Sequence, residues 1–68
     1  MKISARNVID GAVKEIKKGV TTSHVLIDTS GAAITASITN ESVDELGLKT
    51  GVNVKAVIKA SDVMVAVF

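Results

Sequence analysis

Apolar and polar residues alternate along most of this chain with the two-residue period of half-buried strands. The clearest stretch is Ala32 to Thr39, where Ile34, Ala36 and Ile38 share one face and Thr35, Ser37 and Thr39 the other. Val52 to Lys59 repeats the pattern, with Val52, Val54, Ala56 and Ile58 inward. Nearer the start, residues 3–17 read as one extended segment with a bulge expected at Gly11, since a glycine inside a strand pattern interrupts it. Val20 to Asp28 predicts a second strand between the turns Lys17-Lys18-Gly19 and Asp28-Thr29-Ser30-Gly31. The period changes once. Asn40 to Gly47 opens on a capping residue, carries acids in its first turns and ends on glycine, the marks of a short helix. Val63 to Phe68 closes the chain as a strand that is apolar on both faces.

Five short strands with one helix before the fourth predict an all-β fold, an OB-like five-stranded small barrel, as a single domain over residues 1–68. The last strand is greasy on both sides, so it cannot be a solvated edge, and another subunit is expected to cover it. Size points the same way. A chain of 68 residues buries too little surface for a comfortable core, and the remedies are disulfides, a metal or oligomerisation. With no Cys and a single His, His24, only oligomerisation is left. No apolar run is long enough for a bilayer, and Met1-Lys2-Ile3-Ser4 does not begin a signal peptide, so the expected location is cytoplasmic.

Charge and composition narrow the function classes. A net charge of +1 and one aromatic residue, Phe68, lack the basic groove and stacking platforms of a nucleic-acid-binding OB module. No pair of acids shares a predicted cleft, and His24 stands mid-strand without a nucleophile beside it, which argues against an enzyme. Donors are better represented. Ser4 and Arg6 point to the same side of the first extended segment, and Arg6 has a fork of N–H groups suited to a tetrahedral oxyanion. Lys59, in Lys59-Ala60-Ser61-Asp62, lies on the face opposite Ile58. Thr39 and Ser42 flank the start of the predicted helix, where free backbone N–H groups favour an anion. Taken singly, each has an ordinary explanation: surface charges for Arg6 and Lys59, caps for Thr39 and Ser42, a polar turn for Lys17-Lys18-Gly19.

Their order is more specific. Ser4-Ala5-Arg6-Asn7 followed by Gly11, Ser37-Ile38-Thr39, Ser42-Val43, Leu46-Gly47-Leu48, and Lys59-Ala60-Ser61-Asp62-Val63-Met64 together resemble the molbindin (Mop) family over almost the whole chain. On these motifs the chain is identified as a member of the stand-alone molbindins. The resemblance implies molybdate or tungstate held at subunit boundaries, in a homo-oligomer built as a trimer of dimers, a hexamer, with first-strand exchange inside each dimer. The ligands it implies are Ser4, Arg6, Thr39, Ser42, Lys59 and the backbone at Ala60. A second oxyanion site on a symmetry axis is implied for Lys18, Gly19 and Val20. Ser61 stands where many relatives have Thr, and Asp10 where a neutral or basic residue is expected, which lowers local positive potential. His24 matches no ligand role.

These residue types suit molybdate for a physical reason. It is a tetrahedral dianion without a proton near neutral pH, so it only accepts hydrogen bonds. Arg6 and Lys59 together balance its charge, which lowers the cost of taking it out of water. Such a protein stores oxyanion and does no chemistry on it, with no cofactor and neither nucleic acid nor membrane as partner. The competing readings are a nucleic-acid-binding OB module and an assembly domain without a ligand.

Overall fold

The structure is a computed structural model describing residues 1–68. Its long first strand, β1 (Asn7–Lys18), is shared between two partners. The near half, Asn7 to Ala12, pairs antiparallel with β4 (Asn53–Ile58), and the far half, Ala12 to Lys18, pairs with β2 (Thr22–Asp28). β3 (Ala33–Thr39) lies outside β2, so the sheet runs β3-β2-β1-β4. Between β3 and β4 the chain forms α1 (Asn40–Glu45) and the turn that returns it to the sheet.

Phase explains the irregularity in β1. Val13 is buried and Ile16 half-buried, yet a strand with period two cannot place residues three apart on one face. The register skips Lys14, pairing Val13 with Ile27 and Glu15 with Leu26, and this bulge restores Ile16 to the inner side. The bulge therefore sits at Lys14 and not at Gly11 as expected. Gly11 is needed for another reason: a Cβ there would stand 2.7 Å from the Asp28 carbonyl oxygen and 2.8 Å from Ile27 Cγ2. The strand runs too close to its neighbour for any side chain.

The helix starts and stops as its sequence dictates, one residue early. Thr39, in extended conformation, is the N-cap and accepts from the Ser42 N–H, so the capping residue is Thr39 and Asn40 is already helical. At the other end Gly47 adopts φ 63°, with its N–H on the Asp44 carbonyl and the Leu48 N–H on the Val43 carbonyl. Those paired bonds form a Schellman stop, which the left-handed conformation of glycine allows. Val43 faces inward and joins Val13, Val25, Ile27 and Ala56 in the core.

That core is small, with 6 of 68 residues buried. The sheet curls so that β3 and β4, its two unpaired edges, flank an apolar groove of about 330 Å³. Ile34, Ala36 and Ile38 line one side, Val54, Ala56 and Ile58 the other, and Leu46 and Leu48 are also part of the lining. A fifth strand does not form. Val63–Phe68 leaves the sheet without a ladder partner and stands exposed along its length, with Phe68 at its tip. It pairs with neither open edge, β3 or β4, and the property that made it conspicuous in the sequence, apolar side chains on both faces, is left without cover. β1 is paired on both sides within its own chain, so the last segment, not the first, is the one left free here.

Candidate oxyanion site

The β1–β4 ladder ends with Asn7 opposite Ile58, where the Asn7 side-chain amide donates to the Ile58 carbonyl at 3.2 Å. That closure places the next residue on each side. Arg6 immediately precedes Asn7 and Lys59 immediately follows Ile58, so cations from opposite ends of the sequence leave the sheet at one point. Lys59 then caps a single 3-10 turn, Ala60–Asp62, in which the Asp62 N–H donates to the Lys59 carbonyl at 2.9 Å. Ser4 lies two residues ahead of Arg6, and Ser4, Arg6, Lys59 and Ala60 are all exposed.

Neither Arg6 nor Lys59 has a carboxylate partner; the ion pairs of the chain are Lys18–Asp44 and Lys55–Asp10. Asp62, the acid nearest Lys59 in sequence, makes no ion pair either. Two cations emerging together without a counter-ion repel one another, and an anion between them turns that repulsion into attraction. Asp10, the acid expected to weaken the positive field, sits directly opposite Lys55 in the ladder and meets its ammonium at 2.6 Å. Its charge is answered locally.

Thr39 and Ser42 lie elsewhere. Thr39 is opposite Thr22, at the end of the sheet where β1 reaches Lys18. Its hydroxyl accepts from the Ser42 N–H at 3.1 Å and donates to Ser42 Oγ at 2.9 Å, which leaves the Ser42 hydroxyl proton as the free donor of the pair. The 12 residues of β1 separate this pair from Arg6. At about 3.3 Å per residue the strand has a contour of roughly 36 Å. An oxyanion is a few ångström across. In one chain, then, Ser4, Arg6, Lys59 and Ala60 lie at the Asn7 end of β1 and Thr39 and Ser42 at its Lys18 end, so a pocket using all six within one chain would have to span that strand.

The third group, Lys18, Gly19 and Val20, forms the loop from β1 to β2. Lys18 Nζ lies 3.3 Å from Asp44 Oδ1, and the Gly19 N–H donates to the Thr22 carbonyl at 2.8 Å. The loop is held by a residue noted in the sequence only as a helix start. Asn40 donates from Nδ2 to the Gly19 and Val20 carbonyls at 3.1 and 3.2 Å, and from its backbone N–H to the Thr21 carbonyl at 2.9 Å. Its Oδ1 accepts from Ser23 Oγ, the one fully buried polar side chain. The signal for Ser23 was available: it shares the two-residue phase of Val25 and Ile27, which points it inward. Nothing in the sequence marked Asn40 as its partner.

No group of three or more His, Cys, Asp or Glu side chains comes together to hold a metal cation, and no helix is long and apolar enough to cross a membrane. The donors are instead those of an anion site: guanidinium, ammonium, hydroxyl and backbone N–H.

Comparison with known proteins gives the same direction. The TOBE domain profile matches residues 3–65. Molybdenum-pterin-binding protein 1 of Clostridium pasteurianum is 48% identical over 66 residues, covering 96% of this chain and 97% of that protein. Among solved structures, a molybdate binding protein from Sporomusa ovata superposes with a TM-score of 0.92 at 41% identity, over 97% of this chain and 98% of its own. MopII from Clostridium pasteurianum does so with a TM-score of 0.90 at 45% identity, over 97% of this chain and 100% of its own. The all-β curled sheet with one short helix is thus the Mop architecture, and the chain belongs to the TOBE-domain family, among its molbindin (Mop) proteins.

Proposed function

We propose that this protein binds molybdate, and tungstate equally, in the cytoplasm and stores it for the cell without chemical change. The observation that carries the proposal is the emergence of Arg6 and Lys59 at one point of the β1–β4 ladder, neither with a carboxylate partner. The named relatives support it, since one is a molybdate binding protein and another a molybdenum-pterin-binding protein.

In this reading Ser4, Arg6, Lys59 and the backbone of Ala60 from one subunit meet Thr39 and Ser42 of a second, and the Lys18, Gly19 and Val20 loop forms a second class of site. The separation of these groups along β1 supports an interfacial pocket. The chain acts as a single domain in a homo-oligomer, a hexamer built as a trimer of dimers. Within each dimer the first strands are exchanged, and Val63–Phe68, unpaired and apolar on both faces, supplies a fifth strand covered by another subunit. Ligand bound only by the assembled form stabilises that form by mass action.

The test is elemental analysis of the protein purified from cells grown with molybdate, followed by equilibrium dialysis of the stripped protein. Molybdenum in stoichiometric proportion to chain and a saturable isotherm are expected. A folded oligomer that retains no molybdenum and takes up none on dialysis refutes the function and leaves an assembly domain.

A further inference from the structure

We propose that Asn40, oriented by the buried Ser23 hydroxyl, is the positioning residue of the β1–β2 loop, turning the N–H groups of Val20 and Thr21 outward as a pair of anion donors. The inference rests on the molybdate reading above and adds which backbone groups the loop presents and what holds them there.

Peptide planarity makes the case. The chain has no cis peptide bond, and in a trans peptide the carbonyl of one residue and the N–H of the next point in opposite directions. The Gly19 and Val20 carbonyls both accept from Asn40 Nδ2. The N–H groups across those two peptides belong to Val20 and Thr21, so both face away from Asn40. Neither has an acceptor within the chain, and both residues are exposed. Successive N–H groups facing one way make a concavity for an anion, and because Lys18 beside them is paired with Asp44, the two N–H groups are themselves the donors.

The side chain at 40 is suited to this in a way its near-isosteres are not. Two carbonyls must be met by two N–H donors from one short side chain, which only an amide offers at this reach. The orientation of the amide is not free, because two carbonyls can only accept and Ser23 Oγ lies against Oδ1. An aspartate of the same size would set one carboxylate oxygen against both carbonyls and drive the loop away.

A merely structural role for Asn40 also predicts lost stability, so the deciding readout is the loop's own amides. The isotopically labelled oligomer is titrated with sodium molybdate while amide resonances and heat of binding are followed. In the parent, the Val20 and Thr21 amides should shift and saturate with ligand. In Asn40→Asp those two should stop responding, with binding at the loop weakened about tenfold or more, while the sites sensitive to Arg6→Ala keep their affinity. Ser23→Ala, which keeps a small residue in the buried position, should move the same amides in the same direction to a lesser degree. Val20 and Thr21 amides that ignore molybdate while the parent binds it overturn the assignment of donors. Loop binding at parental strength in both variants overturns the role of Asn40. A parent that binds no molybdate refutes the function itself and this inference with it, before any variant is made.

Discussion

Replacing Gly11 by alanine tests the close approach of β1 and β2 directly. The new Cβ would lie 2.7 Å from the Asp28 carbonyl oxygen, where ordinary contact begins at 3.4 Å, so the strands must part by roughly 0.7 Å. The obstacle cannot swing aside, because Asp28 is backbone paired with Ala12 on one side and Ala33 on the other. Overpacking of this kind costs about 1–3 kcal/mol, and a rigid obstacle places it in the upper part of that range. Loss of glycine's freedom in the unfolded chain returns about 0.4–1 kcal/mol. The net is a destabilisation of about 1–2 kcal/mol. For a domain of this size each kcal/mol moves the midpoint by about 4–8 °C, so Tm should fall by roughly 5–15 °C. Gly31→Ala is the internal control: a Cβ there meets nothing within 4 Å, and its φ lies outside the left-handed region. It should be neutral or stabilising by about 0.4–1 kcal/mol. Calorimetric melts of all three proteins are compared at one protein concentration, because the midpoint of an oligomer moves with concentration. If Gly11→Ala melts level with Gly31→Ala, the strands are not as close as described and the reasoning fails.

Arg6→Ala and Lys59→Ala should each weaken molybdate binding by about 1.5–3 kcal/mol, on the order of ten- to a hundredfold, with the oligomer intact by light scattering. Titration calorimetry checks it; two variants that bind like the parent would place the site elsewhere. Competition dialysis against labelled molybdate should rank tungstate close to molybdate, then sulfate on its smaller frame, then phosphate, whose proton finds no acceptor at a cost of about 1–3 kcal/mol. Equal displacement by sulfate would reveal a merely basic cleft. Val65→Asp combined with Ala66→Asp, in the segment exposed on every side, should abolish assembly while a stable parental oligomer persists at micromolar concentration. Light scattering distinguishes the two, and an oligomer surviving both charges would remove the terminal strand from the interface.

The β-rich fold was legible because alternation is a local property. Ile34, Ala36 and Ile38, or Val54, Ala56 and Ile58, declare their face without knowledge of the partner strand. The helix was legible for the same reason, its stop at Gly47 more clearly than its cap, since Thr39 and Asn40 are both good caps and only the backbone decides between them. The bulge was not. Gly11 looked like an interruption, whereas Lys14 carries the extra residue because Val13 and Ile16 must share a face, a demand visible only once β2 is paired. In the candidate site, the meeting of Arg6 and Lys59 follows from the register of Asn7 with Ile58, which no local pattern specifies. The remoteness of Thr39 and Ser42 from them follows from the length of β1. Asn40 escaped notice because its bonds reach back to Gly19 and Val20, about twenty residues earlier, and contacts at that distance leave no period in a sequence.

Phe68 carries the only phenyl ring in the chain, and it stands at the tip of the unpaired tail. The core methyl groups, from Val13, Val25, Ile27, Val43 and Ala56, therefore sense no phenyl ring so long as that tail is in solvent, and the one other ring, the imidazole of His24, is on the exposed side of β2. A core methyl that moves upfield on assembly, and keeps that shift when His24 is replaced by alanine, owes it to the Phe68 ring. The molecule thus carries its own beacon for the docking of its last residues: the displaced methyl names the seat of the tail, and mixing chains with labelled and unlabelled tails tells whether that seat belongs to the same chain or to its neighbour.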